Sequence, residues 1–99
     1  MPKRSSNPNP PSNSADTRLL GQFMEMMAAE RGASANTLAA YQRDLVDFLA
    51  FLHTRGQTLE SVDRTHIEQF LAGLSSAGMS ATSVARKLSA LRQLFHFLY

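Results

Sequence analysis

Hydrophobic residues recur at helical spacing in four stretches of the chain, and no stretch alternates with the period of two typical of a β-strand. A first helix is predicted from Asp16 or Thr17 to about Arg31, where Gly32 offers a left-handed cap. Its apolar side carries Leu19, Leu20, Phe23, Met26 and Met27. We interpret the methionines as core or edge packing, because they share this side with Leu and Phe; the alternative is an adaptable binding surface.

The second predicted helix begins at Ser34 and ends near Gly56. Its buried face carries Leu38, Tyr41, Leu45, Phe48, Leu49 and Leu52, and its opposite face carries Asn36, Ala40, Arg43 and Asp47. Asp44 and Asp47 lie one turn apart on this helix. Without a cleft or a partner in view, we interpret this pair as part of a solvated helix face.

The third helix is predicted from a capping box formed by Thr65 and Glu68, and Gly78 ends it. The fourth begins at a capping Ser80, and its apolar face carries Val84, Leu88, Leu91, Phe95 and Leu98. Short loops make consecutive helices neighbours. The predicted fold is therefore all-α, a four-helix domain made of two packed helical hairpins.

The composition of the chain confines the predicted fold to residues 16–99 and argues against a membrane or disulfide-bonded protein. Residues 1–15 hold all four prolines among Ser and Asn, which predicts a disordered tail before a folded domain over 16–99. No apolar run is long enough for a membrane span or a secretory signal. The chain has no cysteine, so packing must hold the fold, and a reducing cytoplasm is the expected location.

The charge is small in total but unevenly distributed. A net charge of +2 is too low to indicate a nucleic-acid binder by itself. No acidic residue follows Glu68, however, while Arg86, Lys87 and Arg92 lie in that final part. The fourth helix is therefore predicted to have an apolar face and a basic side.

The second and fourth helices resemble each other, because Ser80 repeats Ser34 46 positions later. Their outward rows correspond as well: Asn36, Ala40, Arg43 and Asp47 match Thr82, Arg86, Ser89 and Gln93. One interpretation is that any two capped amphipathic helices look alike. The other is that both helices turn their starts, with their unpaired N–H groups and small polar side chains, toward phosphates.

Three segments together carry a resemblance to a known family. They read SANTLAAYQRDLVDFLAFL, IEQFLAGL and SATSVARKLSALRQLFHFL, the first followed by G-x-T and the last preceded by G-x. This combination resembles the N-terminal core-binding domain of tyrosine recombinases, most closely the Xer type, over residues 19–99. The resemblance implies a SAM-like four-helix domain that forms half of a C-shaped clamp around double-stranded DNA at a recombination half-site.

In that family the second and fourth helices face the DNA. Carried onto this chain, the resemblance implies a contact set of Asn36, Thr37, Arg43, Ser80, Thr82, Ser83, Arg86, Lys87, Ser89 and Arg92. Arg92 projects sideways from this row, and its alternative role is to pair within the fold. For Arg43, two interpretations remain equally open: an exposed salt bridge to Asp47, or a contact with a DNA phosphate.

The resemblance also implies what a second, following domain would supply. Family members cleave DNA with a Tyr nucleophile assisted by Arg, Lys and His, and their protomers assemble into a synaptic tetramer for DNA integration or chromosome dimer resolution. No such set occurs here: Tyr41 and Tyr99 fall on core or edge positions. We expect no catalysis, metal, cofactor, small-molecule substrate or membrane partner. The rival hypothesis is a helical protein-interaction module that docks a partner on the first and fourth helices.

Overall fold

A computed structural model of the protein describes residues 14–99 as four helices. They are α1 (Ser14–Ala29), α2 (Ala35–Thr54), α3 (Arg64–Ser76) and α4 (Ala81–Leu98). The all-α prediction is therefore confirmed. The predicted tail falls outside the described residues except for Ser14 and Ala15, which already belong to α1. None of the described helices is long and apolar enough to cross a membrane.

Glycines end the first three helices as the sequence predicts. Gly32, Gly56 and Gly78 have φ angles of 61°, 69° and 91°. This left-handed backbone is open to glycine and strained for residues with a Cβ. The chain can therefore reverse within a few residues, which brings α1 beside α2 and α3 beside α4.

The start of α3 differs from the prediction. Asp63, rather than Thr65, is the N-cap: its carboxylate accepts the His66 N–H at 3.2 Å, and the His66 Nδ1 accepts the Asp63 N–H at 3.1 Å. The predicted capping box of Thr65 and Glu68 is therefore wrong. An Asp two positions earlier already satisfies the first turn, and Thr65 and Glu68 are exposed within the helix.

The two hairpins pack on each other mainly through α2 and α4. Each of these two helices contacts the other three, whereas α1 and α3 do not contact each other. Phe48 of α2 lies at the centre of the core, with its ring edge-to-face against Phe70 at 5.2 Å and Phe95 at 6.1 Å. The prediction of two packed helical hairpins is thus confirmed, with α2 and α4 as the inner pair.

The loop between α2 and α3 is tied to both ends of the described chain. Leu59 is fully buried in this loop, its N–H donates to the Asp16 carboxylate at 3.1 Å, and its carbonyl accepts the Tyr99 hydroxyl at 3.0 Å. In α1, Met27 is buried and Met26 packs partly against the core. The interpretation of these methionines as packing residues is confirmed.

Candidate nucleic-acid interface

The first turns of α2 and α4 are built in the same way. In α2, the Ser34 hydroxyl accepts the Thr37 N–H at 3.1 Å and donates to the Thr37 hydroxyl at 3.0 Å. In α4, the Ser80 hydroxyl accepts the Ser83 N–H at 3.2 Å and donates to the Ser83 hydroxyl at 3.0 Å. The similarity of the two helix starts therefore extends from sequence to local geometry.

Such a start has a polarity suited to anions. The first N–H groups of a helix have no partner within the helix, and they carry a partial positive charge. In both helices the cap engages the third residue, and the small Ala35 and Ala81 occupy the first position. A phosphate can thus approach the backbone closely at either start.

The two helices are joined by a charge cluster of Asp44, Arg86 and Lys87, of which Asp44 and Lys87 are buried. The Arg86 Nε donates to one Asp44 oxygen at 2.9 Å, and its Nη2 donates to the other at 3.1 Å. The Lys87 Nζ donates to Asp44 at 2.7 Å. One carboxylate of α2 is therefore held by two consecutive cations of α4.

Burial differs sharply within the charge cluster. Asp44 is 2% exposed and Lys87 is 5% exposed, whereas the Arg86 side chain is 44% exposed. The Lys87 Nζ also lies 3.5 Å from an Asp47 carboxylate oxygen, on a side chain that is 59% exposed. The cluster thus has an inner ammonium and an outer guanidinium.

The electrostatics keep Asp44 ionised despite its burial. Burial alone raises the pKa of a carboxyl group, but hydrogen bonds and charges from Arg86 and Lys87 outweigh it and hold the pKa of Asp44 below its ordinary value. The same contact raises the pKa of Arg86 above its ordinary value. Both groups therefore remain charged throughout the physiological pH range.

The structure corrects the interpretation of Asp44 as part of a solvated helix face. Asp44 is buried, and only its neighbour Asp47 is solvated. A signal was present in the sequence, because Asp44 lies three residues after Tyr41 and four before Phe48, at the edge of the buried stripe. A charged residue at such a position requires a partner across the helix interface.

The contact set is mostly on the surface. Its exposed members are Asn36, Thr37, Arg43, Ser80, Thr82, Arg86 and Arg92, its half-buried members are Ser83 and Ser89, and its buried member is Lys87. Ser89 lies beside α2, with its hydroxyl 3.4 Å from that of Tyr41. Arg43 forms no ion pair with Asp47, whose carboxylate is near Lys87 instead. Of the two alternatives for Arg43, the exposed salt bridge is absent.

An apolar groove lies beside this surface, between α3 and α4. It encloses about 230 Å³, and it is lined by Arg64, Ile67, Leu88, Leu91, Arg92 and Phe95. The Lys and Arg ion pairs within residues 14–99 involve only Arg86 and Lys87, so neither Arg64 nor Arg92 has an acidic partner there. Arg92 therefore lines the groove, on a different side of α4 from Arg86.

No arrangement for catalysis or metal binding is visible in residues 14–99. No group of three His, Cys, Asp or Glu side chains comes together as a metal site in that range. Tyr99 stacks on Phe95 with ring centroids 6.2 Å apart, and its hydroxyl donates to the Leu59 carbonyl. This hydrogen bond ties the end of α4 to the loop between α2 and α3.

Comparison with known proteins identifies the family of this domain. Residues 20–99 match the family described as phage integrase, N-terminal SAM-like domain. The chain is 48% identical over 84 residues to the tyrosine recombinase XerD of Agrobacterium fabrum, a match covering 85% of this chain and 25% of the relative. It is 51% identical over 77 residues to XerD of Rhizobium meliloti, covering 78% and 25%.

A third relative, XerD of Caulobacter vibrioides, is 43% identical over 76 residues, covering 77% of this chain and 25% of the relative. The chain thus spans about a quarter of the length of these curated relatives. No solved structure matches the chain significantly. The family match covers most of the chain, from within α1 to the end of α4, so the protein belongs to the phage integrase N-terminal SAM-like domain family and is similar there to XerD tyrosine recombinases.

Proposed function

We propose that this chain is the DNA-binding part of a XerD-like site-specific recombinase and that it grips a recombination half-site with α2 and α4. The observation that carries the proposal is the joined pair of helices: both start with the same Ser cap, and the charge cluster fixes one against the other. Two such starts held on one rigid unit suit the regularly spaced phosphates of duplex DNA.

Each part of the contact set has a distinct role in this proposal. The helix starts at Asn36, Thr37, Thr82 and Ser83 offer N–H groups, hydroxyls and an amide to phosphates or base edges. Arg43 and Arg86 add exposed positive charge. Lys87 supports DNA binding indirectly, because its ammonium is buried against Asp44 and does not face the solvent.

The activity of the whole protein is a wider proposal. With relatives named tyrosine recombinases, this domain would act beside a catalytic domain that cleaves and joins DNA, in an assembly of several protomers. Chromosome dimer resolution in the cytoplasm and integration of mobile DNA both fit that chemistry.

A DNA titration tests the proposal directly. The chain is titrated onto a fluorescent mixed-sequence duplex, and anisotropy is followed from about 50 to about 200 mM salt. We expect binding that weakens steeply with salt, and Arg43→Ala should reduce the slope of log K against log salt by about 1. Arg18→Ala is the matched control, because Arg18 is exposed on α1, outside the contact set. The absence of binding at the lowest salt would reject the proposal.

The groove beside α4 favours a second candidate function, a protein-interaction module. Its floor is apolar and its rims carry Arg64 and Arg92, which suits an amphipathic helix with acidic residues flanking its apolar face. Arg64→Ala separates the two functions, since Arg64 is outside the contact set. A loss of binding to an acidic amphipathic peptide, with DNA binding unchanged, would support this second function.

A further inference from the structure

Arg86 combines two properties: its side chain is 44% exposed, and one edge of its guanidinium is held by Asp44. Its Nε and Nη2 donate to the two oxygens of Asp44, which is a bidentate arrangement. A guanidinium has five N–H groups, so three remain after these two bonds. The contact with Asp44 therefore fixes the plane of the group and leaves its other edge available.

The charge of Arg86 is not cancelled by this contact. Lys87 also pairs with Asp44, at 2.7 Å, so two cations share one buried carboxylate and the cluster keeps a net positive charge. Asp47 is 3.5 Å from Lys87 and mostly in solvent, so it offsets that charge only weakly. Because Lys87 is buried and Arg86 is not, the positive charge meets solvent at Arg86.

We infer that Asp44 is a positioning residue for DNA binding, which fixes the Arg86 guanidinium so that its free edge meets a backbone phosphate, while Lys87 neutralises the buried carboxylate from within. The inference rests on the proposed function. Its physical basis is that a long side chain loses rotamer freedom when it binds, and here the fold has already restricted Arg86. Neither Asp44 nor Lys87 needs to touch the DNA.

Two chains with the same cluster charge test the inference: the wild type and the double variant Asp44→Asn, Lys87→Met. The double variant removes one negative and one positive charge, so Arg86 keeps its charge. An Asn side chain has one oxygen acceptor where Asp44 has two, so Arg86 loses the bidentate contact that fixes the plane of its guanidinium. Removing both members also avoids an uncompensated buried charge, which would threaten folding. Circular dichroism and thermal unfolding establish that the variant is folded at the assay temperature.

We expect the double variant to bind the duplex roughly three- to tenfold more weakly, with little change in the salt slope, because the number of charges at the surface is the same. Arg86→Ala in each background isolates the positioning effect. It should weaken binding more in the wild type than in the double variant. A merely structural role of Asp44 would not change the effect of Arg86→Ala on DNA affinity.

Three outcomes decide the matter. Weaker binding by the folded double variant, together with a smaller effect of Arg86→Ala in that background, supports positioning. Equal affinity of the double variant and the wild type, or an equal effect of Arg86→Ala in both backgrounds, overturns it while leaving the proposed function intact. A wild type that does not bind the duplex overturns the proposed function, and the positioning role with it.

Discussion

Asp16 and Asp44 are two buried aspartates that the fold treats in opposite ways. They are 4% and 2% exposed, and both link separate segments of the chain. Burial raises the pKa of Asp16, with a further rise from the charge of Glu60, and the Leu59 N–H only partly offsets this. Burial acts on Asp44 too, but Arg86 and Lys87 reverse its effect and lower the pKa.

The difference shows that what surrounds a buried carboxylate matters more than how deeply it is buried. At Asp16 the carboxylate connects α1 to the loop before α3, where its charge disfavours the folded state. At Asp44 the charge is the reason that α2 and α4 hold together at one point. One aspartate therefore tolerates neutralisation, and the other depends on its charge.

The largest effect should come from Asp44→Ala. This change leaves the buried Lys87 ammonium without its main counter-ion, so we expect the free energy of unfolding to fall by about 3 kcal/mol. Urea denaturation followed by circular dichroism measures the loss. A fall below about 1 kcal/mol would mean that Lys87 escapes to solvent easily, and the contrast between the two aspartates would collapse.

The second-largest effect should be an opposite pH dependence of stability at Asp44 and Asp16. The folded pKa of Asp44 is lowered, so its contribution to stability is complete above about pH 4 and is lost as the pH falls through that lowered value. The folded pKa of Asp16 is raised, so its contribution is present at low pH and is lost as the pH rises through that raised value.

Unfolding from pH 7 to pH 3 of the wild type, Asp44→Ala and Asp16→Asn measures these dependences. As the pH falls, the advantage of the wild type over Asp44→Ala should shrink, whereas its stability relative to Asp16→Asn should rise. Parallel curves for the two variants would show that the environments of the two carboxylates do not differ as described.

The sequence predicts the helices well because helix positions depend on local spacing. The apolar stripe of α2, the Ser caps of α2 and α4 and the glycines after α1, α2 and α3 are local features, and each is correctly predicted. The predicted apolar face of α4 is only partly right, because the buried residues of that helix are Lys87, Ala90, Leu91 and Leu94, and only Leu91 belongs to the predicted face. The start of α3 is not correctly predicted, because Asp63 and Thr65 both suit a cap and only the three-dimensional turn decides between them.

The charge cluster was harder to predict from the sequence, because its residues come together only in the folded chain. Asp44 lies at the edge of the apolar stripe of α2, and Lys87 lies among the buried residues of α4, so the burial of both depends on how closely α2 and α4 approach. The pairing joins residues 43 positions apart in the chain, and no local pattern specifies it. The sequence indicated a basic α4, and only the fold distinguishes the buried Lys87 from the exposed Arg86.

A smaller effect is expected from Asp16→Asn at pH 7. The amide oxygen of the new side chain still accepts the Leu59 N–H, and the cost of holding a charged carboxylate in a buried site disappears. We therefore expect the free energy of unfolding to change by less than about 1 kcal/mol. A loss as large as that of Asp44→Ala would show that the charge of Asp16 stabilises the fold.

The smallest effect should come from Asp47→Asn. Asp44 and Asp47 both lie near the Lys87 ammonium, so this variant compares an exposed carboxylate with a buried one at the same partner. The Asp47 carboxylate is 3.5 Å from the Lys87 Nζ, but its side chain is 59% exposed, so water and salt screen the attraction. We expect a loss of less than about 0.5 kcal/mol, with a further decrease in added salt. Urea denaturation at low and high salt, beside Asp44→Ala, gives the comparison. Equal losses for the two variants would make Asp47 a full counter-ion of Lys87 and would remove the net positive charge that we assign to the cluster.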